Sequence, residues 1–171
     1  MPLSPFRVVV SDLVGRSGAR RSETLIGPLE IELDQLHSCG DATARLELEA
    51  IANGLIVRGS VEASAVVRCN RCLITFGFEA SASVIQVYGP ADEEEILRIG
   101  SDGSIDLGPV LHDELSLAFP LVPLCSESCL GLCLRCGTDL NVDPCSGHPE
   151  ESSSPFAVLE ELLDTPMPTD G

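Results

Sequence analysis

Ala44-Arg-Leu-Glu-Leu-Glu-Ala50, Asn53-Gly54 and Leu55-Ile-Val-Arg-Gly-Ser-Val61 carry the first architectural signal in the chain. Apolar and polar residues alternate in the outer two stretches, which is the period of a half-buried strand. Asn-Gly between them signals a tight hairpin, because both central positions of that turn want positive φ. The two runs are therefore expected as antiparallel neighbours. Leu29-Glu-Ile-Glu-Leu33 upstream alternates in the same way, as does Phe76-Gly-Phe-Glu-Ala-Ser-Ala-Ser-Val-Ile-Gln-Val87 downstream, so residues 24–88 read as a β-rich unit. Cys69-Asn-Arg-Cys72 falls where the third run ends and the fourth begins, and so presents two thiols on one turn in the manner of a zinc knuckle.

Outside this unit the pattern changes. The segment Val8–Arg21 ends in Gly15-Arg-Ser-Gly-Ala-Arg-Arg21, a Gly- and Arg-rich stretch that reads as a mobile loop, and Gly89-Pro-Ala-Asp-Glu-Glu-Glu95 reads as a solvated acidic turn. Pro109 suits the first turn of a helix over Val110–Ala118, with Val110, Leu111, Leu115 and Ala118 on one face and Phe119-Pro120 as its stop. Cys125 to His148 is too poor in periodic apolar residues to fold by burial, and metal is expected to organise it. Pro155-Phe-Ala-Val-Leu-Glu-Glu-Leu-Leu163 reads as a short amphipathic helix and 165–171 as a flexible tail. The expected architecture is one α+β domain over 1–164: an antiparallel β-sheet or partly closed barrel, a few short helices, and a zinc-held Cys-rich region within 105–148 packed against the turn at Cys69.

Composition narrows the function classes. The chain has 171 residues, with ten Lys+Arg against 27 Asp+Glu for a net charge of −17, and all ten basic residues are arginine. Such a field opposes approach to phosphate backbones and favours a basic protein partner; any RNA contact, for example from Arg68, Arg71 or Arg135, would be local. One Tyr, five Phe and no Trp leave little for a base-stacking platform. No apolar run nears the roughly 20 residues of a membrane helix, and the N-terminal residues lack a secretory pattern, so the expected location is the cytoplasm. Cytosolic thiols are kept reduced, which favours metal ligation over disulfides for the eight cysteines.

Their spacing sharpens this. Cys69-x2-Cys72, Cys125-x3-Cys129-x3-Cys133-x2-Cys136, Cys145 and His148 form an ordered set of zinc-type donors. Two divisions are open. One gives Cys69, Cys72, Cys125 and Cys129 to one ion and Cys133, Cys136, Cys145 and His148 to a second. The other makes a single four-cysteine ribbon of Cys69, Cys72, Cys133 and Cys136. Cys39 and His37 read as ordinary buried residues. His112-Asp-Glu114 followed by Cys133-x2-Cys136 superficially matches the zinc deaminase elements, but Leu132 stands where that pattern has proline and four cysteines would go unused. Enough donors exist to close two shells, whereas a catalytic zinc keeps an open position.

Cys69-Asn-Arg-Cys-Leu73, Ile105-Asp-Leu107, Asp113-Glu-Leu115, Phe119-Pro-Leu-Val-Pro-Leu-Cys125 and Gly131-Leu-Cys-Leu-Arg-Cys-Gly-Thr-Asp-Leu-Asn141, in this order, resemble the YceD family of large ribosomal RNA subunit accumulation proteins. The resemblance extends through Pro155-Phe-Ala-Val-Leu159. It implies a part in synthesis, processing or stability of 23S rRNA and in large-subunit assembly, with no known catalysis. Genes of the family often neighbour that of a small basic ribosomal protein, which fits a partner among basic ribosomal proteins or the assembly machinery. Some members keep the first Cys-x2-Cys pair and lose the second, implying separable sites; this chain departs from many relatives after Asn141, where only Cys145 and His148 remain. The competing readings are a zinc-dependent enzyme of RNA metabolism and a zinc-ribbon interaction module.

Overall fold

The computed structural model describes residues 4–89 and 97–148. Strand β1 (Arg7–Val9) is followed by β2 (Arg20–Gly27), β3 (Leu36–Cys39), β4 (Ala42–Ile51), β5 (Gly54–Arg68), β6 (Thr75–Gly89), β7 (Leu97–Arg98), β8 (Ser104–Asp106) and helix α1 (Gly108–Ala118). The main sheet runs β2-β4-β5-β6-β7, and β3 pairs with the far end of β5, beyond the reach of β4. A separate ribbon joins β1 to β8. Among the described residues the sheet stays open rather than closing into a barrel, and α1 is the one α-helix, so the architecture is sheet-rich with less helix than expected. The segment 155–163, the tail 165–171 and most of the acidic turn lie outside the described residues.

Alternation along the strands makes the core. Ala44, Leu46 and Leu48 of β4, Val57, Val61, Ala65 and Val67 of β5, and Ala80, Val84 and Tyr88 of β6 are buried on one face. Leu111 and Leu115 of α1 cover that face together with Phe6, Val8, Ile105 and Phe119. Pro109 sits in the first turn of α1, and the helix ends where Phe119 turns extended (ψ 135°). The following proline disfavours the helical conformation at that residue.

Three expectations change. The β4–β5 turn is centred on Ala52 and Asn53, since Ile51 pairs with Gly54, and Asn53 does not have positive φ. Gly54 is needed for close approach instead: a Cβ there would stand 2.0 Å from the Tyr88 carbonyl oxygen. Leu29–Leu33 keeps its alternation, with Leu29, Ile31 and Leu33 packed on the core, yet joins no ladder; alternation reports burial, and pairing is a separate matter. The Gly15–Arg21 stretch is anchored rather than loose: Gly18 N–H donates to the Ala50 carbonyl (2.8 Å), Ala50 N–H to that of Ala19 (2.8 Å), and Arg20 and Arg21 pair with Glu49 and Leu48 of β4. Just before it Val10 and Leu13 are buried, and Val10 N–H donates to the Gly103 carbonyl (2.8 Å).

Tyr88, the chain's single tyrosine, is buried and donates its hydroxyl to the Asp106 carbonyl oxygen at 3.2 Å. Burial, and then the charge of Asp106, push its phenol up to about 12. The unfolded phenol titrates near 10, so the folded state favours the neutral form; that stability is complete below about pH 10 and is lost as pH rises toward 12. Absorbance titration of the phenolate should show no ionisation near pH 10 in the folded chain, and a midpoint at 10 without unfolding would contradict this burial.

Candidate metal centres

Side-chain parity along β5 runs Ala63, Ala65, Val67, Cys69, so the first thiol continues the buried face past the strand's last paired residue. From there the β5–β6 loop turns tightly: Cys69 N–H donates to the Ile74 carbonyl (2.8 Å) and Leu73 N–H to that of Cys69 (3.0 Å). This returns Cys72 beneath Cys69. Cys133-Leu-Arg-Cys136 repeats the device, with Cys133 N–H on the Thr138 carbonyl (2.8 Å) and Gly137 N–H on that of Cys133 (2.9 Å). The two turns share the spacing Cys-x-Arg-Cys and the same two hydrogen bonds. Both need positive φ at the residue after the second cysteine; Gly137 (φ 75°) meets it without strain, whereas Leu73 (φ 63°) is the one non-glycine residue with positive φ among the described residues.

The structure brings Cys69, Cys72, Cys125 and Cys129 into one group and Cys133, Cys136, Cys145 and His148 into another, with the donor atoms of each within 4.8 Å of one another. The four-cysteine arrangement of Cys69, Cys72, Cys133 and Cys136 is not formed. In the first group Cys69 Sγ lies 3.9 Å from Cys129 Sγ, and Cys72 Sγ 3.6 Å from Cys125 Sγ. In the second, Cys136 and Cys145 sulfurs are 3.7 Å apart, and His148 Nε2 is 3.3 Å from Cys133 Sγ and 3.1 Å from Cys145 Sγ. All eight cysteines are free thiols, and a disulfide would need about 2.0 Å. Thiolates about 2.3 Å from one ion stand about 3.8 Å apart at the corners of a tetrahedron, so both donor sets suit a tetrahedral cation.

The environments differ. Cys69, Cys72 and Cys129 are buried, forming a small core of their own with Leu124, Leu132 and Phe76 around it. In the second group Cys136 and His148 are exposed and the others half-buried, beside a fully exposed Leu134. At Cys69 burial opposes ionisation, but the backbone N–H groups of Cys72, Cys125 and Arg71 outweigh it and bring the thiol down to about 6. Burial and the neighbouring thiols push Cys125 up to about 12. In the second group the Thr138 hydroxyl, its backbone and His148 bring Cys136 down to about 6. The backbone N–H groups of Cys136 and Arg135 lower Cys133 as well, so each group holds at least one thiol drawn toward its anion, and a cation entering would displace the remaining thiol protons.

Residues that the spacing argument did not single out hold the first group together. Arg71 Nη1 donates to the Cys129 carbonyl (2.8 Å) and the Glu127 carbonyl (3.4 Å), stitching the β5–β6 turn to the 125–129 turn. Its guanidinium is thereby engaged by protein carbonyls. Asn70 N–H on the Pro123 carbonyl (2.9 Å) and Gln35 Nε2 on the Pro120 carbonyl (3.2 Å) fix the connecting segment from α1. Cys39, half-buried at the end of β3, and exposed His37 belong to neither group; His112, paired with Asp113 at 3.0 Å, stands apart as well. A repeated Cys-x-Arg-Cys was the sequence signal that could have found Arg71.

Leu73 is 55% exposed, so its strain can be probed at little packing cost. A left-handed conformation costs an L-residue about 1–2 kcal/mol and more for a β-branched one. Leu73→Gly should raise stability in urea by up to about 1 kcal/mol, and Leu73→Val should lower it by about 1–2 kcal/mol. Equal midpoints for the two variants would exclude the left-handed turn.

Comparison with known proteins places this geometry. The family described as "Large ribosomal RNA subunit accumulation protein YceD" matches residues 57–163, a span that contains both groups. An uncharacterised protein of Mycobacterium leprae (strain TN) is 28% identical, over 99% of this chain and 84% of its own length. One of Mycobacterium tuberculosis (strain H37Rv) is 31% identical, over 94% of this chain and 82% of its own. A more distant relative, 21% identical over 84% of this chain and 51% of its own, is the Arabidopsis thaliana "Large ribosomal RNA subunit accumulation protein YCED homolog 1, chloroplastic". No solved structure matches the chain. With the family's match spanning β5 to beyond the second Cys-rich group, and a 31% identical relative aligned along nearly the whole chain, this protein belongs to the YceD family.

Proposed function

We propose that this protein is a non-enzymatic, zinc-binding cytoplasmic factor that supports 23S rRNA accumulation and large-subunit assembly, acting on a basic ribosomal protein or the assembly machinery rather than gripping RNA. The observation that carries the protein-partner reading is the fate of the arginines. Arg7 pairs with Asp102, Arg20 with Glu47 and Glu49, Arg21 with Asp12 and Glu23, Arg45 with Glu62, and Arg58 with Glu49. Arg71 is committed to carbonyl oxygens. Against a net charge of −17, these pairs draw down the positive charge a phosphate backbone would need. The same field would steer a cationic protein toward the chain. Among the described residues no helix is long and apolar enough to cross a membrane.

Each group offers four protein donors, enough to fill a tetrahedral shell if zinc bound there, which supports a structural rather than a catalytic role. When bound, zinc in the first group would cross-link the 125–129 turn to the β5–β6 turn, and zinc in the second would close residues 133–148 on themselves. The chain's own part is to present the thiols: strand parity delivers Cys69, the two matched turns deliver the Cys-x2-Cys pairs, and Arg71 locks the halves of the first group together.

Native mass spectrometry of protein purified under reducing conditions should show two zinc ions, falling to one in Cys72→Ser and one in Cys136→Ser. No zinc in the wild type would sink the metal reading. In cells of the source organism, depletion of the protein should lower the ratio of 23S to 16S rRNA, and an unchanged ratio would sink the rRNA reading.

A further inference from the structure

Asn141 lies between Cys136 and Cys145, inside the loop that the second group closes, yet its side chain serves the first. Its Oδ1 accepts the Leu130 N–H at 2.8 Å, while Nδ2 donates to Asp139 Oδ1 at 2.7 Å and to Cys129 Sγ at 3.6 Å. A backbone N–H can only donate and a carboxylate, when ionised, can only accept, so the orientation of the Asn141 amide has a single solution, with one N–H aimed at the sulfur. The Asp139 carboxylate also accepts the Asn141 backbone N–H at 2.9 Å. Leu140 N–H on the Gly131 carbonyl (2.9 Å) and Leu132 N–H on the Arg71 carbonyl (3.1 Å) tie this turn to the first Cys-x2-Cys loop. The approach is close enough that a Cβ at Gly131 would stand 3.0 Å from the Arg71 carbonyl oxygen.

We propose that Asn141 is a positioning residue for the first metal centre and that it couples the two: filling the second centre orders the loop that brings the Asn141 amide to Cys129. This rests on reading both groups as metal centres. An amide N–H on a ligating thiolate spreads its charge and fixes its direction, and such outer partners are typically worth 10- to 100-fold in metal affinity. The loop bearing Asn141 has little burial of its own, since Leu134 and Val142 beside it are exposed. Hydrogen bonds to Leu130 and Gly131 hold it on one side, and the Cys136 and Cys145 sulfurs meeting a shared ion would close it on the other. Linkage makes the effect reciprocal, so the first centre, once filled, also tightens the second.

Cobalt(II) titration of the full chain, followed by the thiolate-to-cobalt charge-transfer band, tests this. Asn141→Asp keeps an oxygen for Leu130 but removes the N–H from the sulfur; it should shift that band and weaken the first centre by about 10- to 100-fold. Cys136→Ser/Cys145→Ser leaves Asn141 and every ligand of the first centre in place, yet should weaken that centre by a similar factor. Adding Asn141→Asp to that double variant should then cost little more. Unchanged first-centre affinity in the double variant overturns the coupling, and an unshifted band with unchanged affinity in Asn141→Asp overturns the role of the amide. A wild type without a thiolate-to-cobalt band would instead remove the metal reading on which the inference stands.

Discussion

Side-chain parity along β5 is the constraint on which most of the molecule depends. Successive residues of a strand point to opposite faces, so Val57, Val61, Ala63, Ala65 and Val67 share one buried side, and Cys69 inherits it. A one-residue slip of β5 against β4 or β6 would turn the core toward solvent and swing Cys69 away from Cys129. Core and first thiol are thus set by a single register. The partner β6 runs alongside β5 almost to its end, from Leu55–Tyr88 to Arg68–Thr75, which leaves the six residues from Cys69 to Ile74 to make the turn.

The two Cys-x2-Cys turns are local copies in different settings. The first is built onto the end of a sheet, roofed by Leu124 and Leu132 and clamped by Arg71, so burial and hydrogen bonding share its stabilisation with any ion. The second stands on a glycine that accepts positive φ and is surrounded by exposed side chains. Burial can do little there, and ligation is the interaction able to order that segment. The β-sheet scaffold thus holds one donor group firmly and carries the other outward, with Asn141 reaching back between them.

Electrostatics follows the same division between local and global effects. Arg20 of β2, Arg45 of β4 and Arg58 of β5 are paired with glutamates across neighbouring strands, as opposite charges facing one another on a sheet surface should be. Each such exposed pair adds little to stability, but together they leave the acidic excess as the dominant long-range property. Local pairing uses the scarce cations, and the acidic field remains.

The β-rich core was legible from alternation in Ala44–Ala50, Leu55–Val61 and Phe76–Val87, and α1 from its apolar spacing with proline at each boundary, because both signals depend only on local geometry and burial. The donor atoms themselves were legible as residue types at short spacing. What local sequence could not determine was the grouping of those donors, since Cys69 and Cys129 meet through a hairpin, a helix and a connecting segment rather than through adjacent residues. The turn at Ala52–Asn53, the unpaired extended run at Leu29–Leu33 and the anchoring of Gly15–Arg21 were likewise tertiary decisions. Each turned on which backbone groups found partners across the fold. Arg71 and Asn141 belong to the same class: their types were plain in the chain, but only packing of the 125–143 segment onto the β5–β6 turn gave their side chains carbonyls and a sulfur to hold.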